Sequence, residues 1–102
     1  MPIMKNVIGF KVGEKTVEIK IGDRIKELRG EKNISLADLS KRSGVEIATL
    51  SRIENKKMVG TLESHARIAY SLDVELYQLY QDIKLTSKKE EQFISFYAGG
   101  LG

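Results

Sequence analysis

The stretch ISLADLSKRSGVEIATLSRIENKK, residues 34–57, decides how the chain reads. Ser35, with Asp38 three residues later, marks a helix start: the hydroxyl accepts a first-turn N–H and the acid lies near the positive end of the helix dipole. A helix over residues 36–43 is predicted, stopped by Gly44, which enters the left-handed region without a Cβ penalty. Val45 then leads into a helix of about two turns, residues 47–54, whose inward side is Leu50 and Ile53. Glu46, Ile47, Ala48, Thr49, Ser51 and Arg52 are left facing outward.

Reading outward from this centre, Ile21, Ile25 and Leu28 recur at helical spacing and predict a helix over residues 22–32. Asn33 and Ile34 connect it to the next. On the other side, residues 55–60 form a loop and Thr61 caps a helix over residues 62–72, bearing Leu62, Ala66, Ala69, Ile68 and Leu72. Asp73-Val74-Glu75 breaks it. Leu76, Leu79, Tyr80 and Ile83 then define a fifth helix of about nine residues.

Upstream, the period changes from helical to alternating. Ile8, Phe10 and Val12 precede Gly13-Glu14, and Val17, Ile19 and Ile21 follow, which predicts a β-hairpin. Two strands alone are marginal in water, so the hairpin has to pack on the helices or pair with a second copy. Three segments result: a hairpin extension at residues 1–20, a helical domain at 21–83 and a C-terminal extension at 84–102. Within the last, residues 88–97 carry Phe93, Ile94, Phe96 and Tyr97 and are expected to form a short helix, with residues 98–102 disordered.

Composition narrows the classes available. A chain of 102 residues with 41% hydrophobic content supports one core. It holds no cysteine, which excludes disulfides, thiolate metal clusters and thiol nucleophiles. No run of about eighteen apolar residues and no leader pattern is found, so no membrane association and a cytoplasmic location are expected. The single histidine, His65, falls mid-helix in an apolar pattern and reads as structural. No acid–base pair or glycine-rich phosphate loop is present, so neither a catalytic residue nor a cofactor or metal is expected.

The formal charge of +3 is small, but it is unevenly spread. Residues 21–57 carry nine Lys/Arg against six Asp/Glu, whereas residues 58–83 carry one Arg against four acids. One basic and one acidic end suit a molecule with one face on phosphates. Two short helices joined by a glycine turn constitute a helix-turn-helix, whose second helix fits the major groove of double-stranded DNA.

Residues 21–80 closely resemble the Cro/phage-repressor (Xre-like) family of helix-turn-helix regulators. RIKELR, the Ser35 helix start, Gly44-Val45, TLSRIE, TLES, RIA, SLDV and LYQLY coincide with its landmarks in order and spacing. The resemblance implies an all-α, five-helix lambda-repressor-like domain, here with an added N-terminal hairpin. It also implies a non-enzymatic, sequence-specific regulator, usually a homodimer on a two-fold related operator.

Carried over residue by residue, the pattern assigns base-edge contact to Ile47, Ala48, Thr49 and Ser51, with Arg52 on a base or phosphate. Ile47, Ala48 and the Thr49 methyl suit thymine methyls, and the hydroxyls of Thr49 and Ser51 donate or accept. Lys56 and Lys57 are expected near the DNA backbone. Glu46 suits the helix dipole, with a cytosine amino group as its other partner. Glu54 is expected to pair with Arg29.

Departures are equally specific. Leu36 occupies the position where many members carry a DNA-touching glutamine, Ser40 and Ser43 replace small or apolar residues, Lys56 a common glycine and Gly60 a common proline. Two other readings share the fold. One is an antitoxin that represses its own operon and binds a toxin through an added segment; the other is a protein-interaction module without DNA affinity.

Overall fold

The computed structural model describes residues 9–81, 83 and 85–86. A hairpin, β1 (Gly9–Val12) and β2 (Lys15–Glu18), precedes four α-helices: α1 (Ile21–Lys32), α2 (Leu36–Ser43), α3 (Ile47–Glu54) and α4 (Leu62–Ser71). A 3-10 helix, Leu76–Tyr80, and a two-residue strand, β3 (Leu85–Thr86), follow. No described helix is long and apolar enough to cross a membrane.

Local chemistry sets the helix ends. The Ser35 hydroxyl accepts from the Asp38 N–H at 3.0 Å. Gly44 ends α2 at φ 78°, and Asn33 ends α1 in the left-handed region at φ 56°. Thr61 and Ser64 form a reciprocal capping box at the start of α4. Each device satisfies backbone groups that a short helix leaves without partners.

Ile21, Ile25, Leu28, Leu39, Leu50, Ile53, Ile68, Leu72 and Leu79 make up most of the buried core, joined by Ile34 and Val45. Ile34, read from sequence only as a connector, is therefore a core residue. Gly22 shows how tightly α1 lies on α3: a Cβ there would overlap the Ile53 carbonyl oxygen. Backbone meets backbone at this crossing, so only glycine fits.

Two elements depart from the sequence reading. The fifth helix is a 3-10 helix of five residues and stops at Tyr80, short of Ile83. Its start is held by a capping box between Glu75 and Gln78, and Leu79 is buried beneath it. Beyond it the Ile83 N–H still reaches only to Tyr80 O at 3.1 Å, an i to i+3 bond, as the chain turns toward the sheet.

The second departure is β3, placed at residues expected to be a terminal extension. It pairs antiparallel with β2, Val17 opposite Leu85 and Thr16 opposite Thr86, in a sheet ordered β1-β2-β3. The hairpin is thus one part of a three-stranded sheet, with Gly13 at φ 65° in its turn. A two-residue strand has no periodicity to detect. The helix expected at 88–97 and the disorder expected at 98–102 lie outside the described residues.

Gly22→Ala is expected to lower stability by about 1–3 kcal/mol, because relief requires moving one helix off the other. Thermal unfolding followed by circular dichroism checks this, with a fall in Tm of at least about 4 °C expected.

Candidate nucleic-acid interface

The turn between α2 and α3 is fixed by three consecutive features. Ser40 Oγ donates to the Val45 carbonyl at 2.7 Å, the Val45 N–H donates to Ser43 Oγ at 3.1 Å, and the Val45 side chain is buried. The two serines, departures from the family pattern in sequence, hold the main chain of Val45 from both sides. No signal in the sequence distinguished this use from an exposed polar substitution.

Beyond the turn, α3 is anchored by Leu50 and Ile53, both fully buried. Burying each contributes about 1.5–3 kcal/mol. Its last residue, Glu54, is clasped from α1: Arg29 Nε donates to Oε2 at 2.7 Å and Nη2 to Oε1 at 2.9 Å. The same guanidinium donates through Nη1 to the Ile34 carbonyl at 2.8 Å. One arginine therefore ties α1, the α1–α2 connection and the end of α3 together.

The Glu54 side chain is only 5% exposed and that of Arg29 19%. The hydrogen bonds that Arg29 donates to Glu54, helped by the carboxylate charge, hold the Arg29 pKa above its ordinary value against the opposing effect of burial. The forked geometry matches a planar carboxylate in both direction and distance.

What α3 leaves outward follows from these anchors. Glu46, Ile47, Ala48 and Arg52 are exposed, and Thr49 and Ser51 are half-buried. Glu46 occupies the N-cap with extended backbone, yet its carboxylate makes no capping hydrogen bond. Among the described residues Arg52 and Lys57 have no ion-pair partner, so both cations remain available. Lys56 instead pairs with Asp23 on α1 at 3.1 Å and holds a left-handed backbone at φ 61°. That φ accounts for glycine being common at the equivalent position.

Leu36 is half-buried and packs against the core. Asn55, absent from the sequence reading, joins the surface: its Nδ2 donates to the Ser51 carbonyl at 2.9 Å and to Ser51 Oγ at 3.3 Å. With Ser51, Arg52 and Lys57 it lines an open concavity of about 640 Å³. Its place after the last helical residue hid it from an argument based on helix faces.

His65 supports this surface from behind. A carbonyl can only accept, so Nε2 carries the proton it gives to Val59 O at 2.6 Å, and Nδ1 accepts from the Tyr80 hydroxyl at 2.8 Å. Burial pushes the Tyr80 phenol up, keeping it protonated as the donor. The loop after α3 is thereby fastened to α4 and the 3-10 helix.

A short helix bolted to a compact body, preceded by a glycine turn and edged with free cations, defines the helix-turn-helix class of DNA-binding proteins. Residues 24–85 match the Cro/C1-type HTH DNA-binding domain, and the chain belongs to that family. Its members and the structural neighbours are DNA-binding transcription regulators, not enzymes. No curated protein sequence matches the chain.

Similar solved structures include a SinR protein/SinI protein complex, 33% identical over 61% of this chain and 61% of that one, with a TM-score of 0.58. The chain thus spans under two thirds of the SinR length in that complex. The restriction-modification controller protein C.AhdI from Aeromonas hydrophila is 30% identical over 60% of this chain and 92% of that one, again at 0.58. SinR, the master regulator for biofilm formation, solved in complex with DNA, is 34% identical over 60% of this chain and 98% of that one, at 0.57.

Arg29→Ala is expected to cost about 3 kcal/mol, since it strands the buried Glu54 carboxylate without its counter-charge. Arg29→Lys should recover only part of this, because an ammonium cannot make the fork. Chemical denaturation of the two variants beside the parent chain measures both.

Proposed function

We propose that this protein is a sequence-specific transcriptional repressor that binds double-stranded DNA as a homodimer, each copy reading one half of a two-fold related operator with α3. One observation carries the reading: α3 turns Leu50, Ile53 and Glu54 inward while Ile47, Ala48 and Arg52 stand exposed, with Thr49 and Ser51 at the edge. A helix of this width fits the major groove. SinR, a relative with the same fold, has been solved in complex with DNA.

The roles follow from chemistry. Ile47, Ala48 and the Thr49 methyl face thymine methyls, the hydroxyls of Thr49 and Ser51 bond base edges, and Arg52 takes a guanine or a phosphate. Lys57 supplies charge to the DNA backbone, with Asn55 beside it. Lys56 contributes less, since Asp23 already holds it. Glu46 stays near the dipole's positive end and disfavours phosphate there. Repression is the simplest result of a small dimer occupying its operator.

Selection from a random duplex library, followed by titration across salt, tests the reading. Thr49→Ala should relax preference at one base pair per half-site by about 1–3 kcal/mol. Lys57→Ala should weaken all sequences alike and reduce the salt slope by about one per subunit. Failure to retain any duplex in dilute buffer contradicts the proposal.

A further inference from the structure

The outer strand of the sheet is unusual for a surface element. All four residues of β1 are exposed, and Phe10 is 57% exposed although Val17, directly opposite it on β2, is 5% exposed. Phe10, Val12, Val17 and Lys15 share one face, because residues paired across strands point the same way. Val17 is buried, whereas Phe10 and Val12 on the same face are left exposed, so the apolar face overhangs at β1. Among the described residues β2 is the only neighbour of β1.

The outer edge of β1, unpaired among the described residues, has a defined hydrogen-bonding pattern. In a hairpin closed by two residues, Val12 and Lys15 exchange both backbone bonds, and the alternation makes Phe10–Val17 the next such pair. The N–H and C=O groups of Gly9 and Lys11 consequently point away from β2. Such an edge is a template for a further strand.

We propose that β1 adds to β1 of a second copy of this chain, antiparallel about a two-fold axis at Phe10, making one continuous six-stranded sheet. This deepens the dimer named above and supplies the symmetry that a two-fold operator requires. Gly9 of each copy pairs with Lys11 of the other, and the two Phe10 rings meet as a close, non-hydrogen-bonded pair.

Charge selects both the occupant and the register. Shifting the axis to Lys11 sets two lysines opposite each other, which is unfavourable. With the axis at Phe10, Lys11 crosses Gly9 of the other copy, which has no side chain to obstruct it, toward Glu18 on the same rung. The lysine and glutamate chains together span the two strand spacings of about 4.8 Å each. Glu18 has only a loose contact with Lys20 at 3.9 Å to give up. A strand that offers Lys11, Gly9 and Glu18 in this order is complementary to itself.

The cysteine-free chain permits a direct test. Phe10→Cys, on the two-fold axis, should form an intermolecular disulfide under mild oxidation at micromolar concentration, because a non-hydrogen-bonded pair has its Cα atoms about 4.5 Å apart. Lys11→Cys and the remote Glu31→Cys should cross-link at least tenfold more slowly. Lys11→Pro removes an N–H the hairpin does not use, so it should raise the dimer dissociation constant in sedimentation at least tenfold while thermal unfolding stays cooperative.

Phe10→Cys cross-linking no faster than Glu31→Cys, faster cross-linking of Lys11→Cys, or no effect of Lys11→Pro would each overturn the proposal. Binding of the selected duplex by the same variants is scored separately. Retained half-site binding with failed cross-linking rejects this interface and leaves the DNA reading standing.

Discussion

Eight residues are too few to hold a helix in water, because nucleation is costly and each further residue adds only one bond. The conformation of α3 is therefore imposed by what it is fixed to. Three attachments impose it: Leu50 and Ile53 in the core, the carbonyl of Ile53 against the bare backbone of Gly22, and the forked pair of Glu54 with Arg29. Two of the three run to α1. The orientation of the outward residues is thus set by the α1–α3 crossing more than by any property of those residues.

The segments flanking α3 serve the same end. Ahead of it, Ser40 and Ser43 grip Val45, so the turn is held by side chains as well as by the left-handed Gly44. Behind it, His65 fastens the loop by hydrogen bonds to the Val59 carbonyl and the Tyr80 hydroxyl. Among the described residues no buried side-chain nitrogen or oxygen lacks a partner, so this polar network is fully satisfied. The net energy of the Arg29–Glu54 pair can be small, since two charges give up water to form it; its geometric effect is the larger one.

Much of this was legible in the sequence because the signals are local. Ser35 with Asp38, Gly44, Thr61 and the spacing of Ile21, Ile25 and Leu28 each announce an element through three or four residues of context. The Gly13 turn did the same for the hairpin. What was not legible depends on partners far along the chain. Pairing of β3 with β2 joins residues some seventy positions apart with no pattern of its own. The 3-10 geometry of 76–80 follows from how Leu79 is buried, and its apolar spacing suits an α-helix equally well. In the candidate site, the outward set on α3 followed from helical periodicity. The Val45 clamp, the Lys56–Asp23 contact and the place of Asn55 beside Ser51 required coordinates.

The central claim is that the outward edge of α3, held from α1, is the surface that meets DNA. Amide chemical-shift mapping of the labelled protein during titration with its selected duplex tests it most directly. The largest perturbations are expected on Glu46–Arg52 and Lys57, with the sheet and the exposed face of α4 around Tyr70 little changed. Perturbations centred on α4 or the strands, with α3 silent, would contradict it.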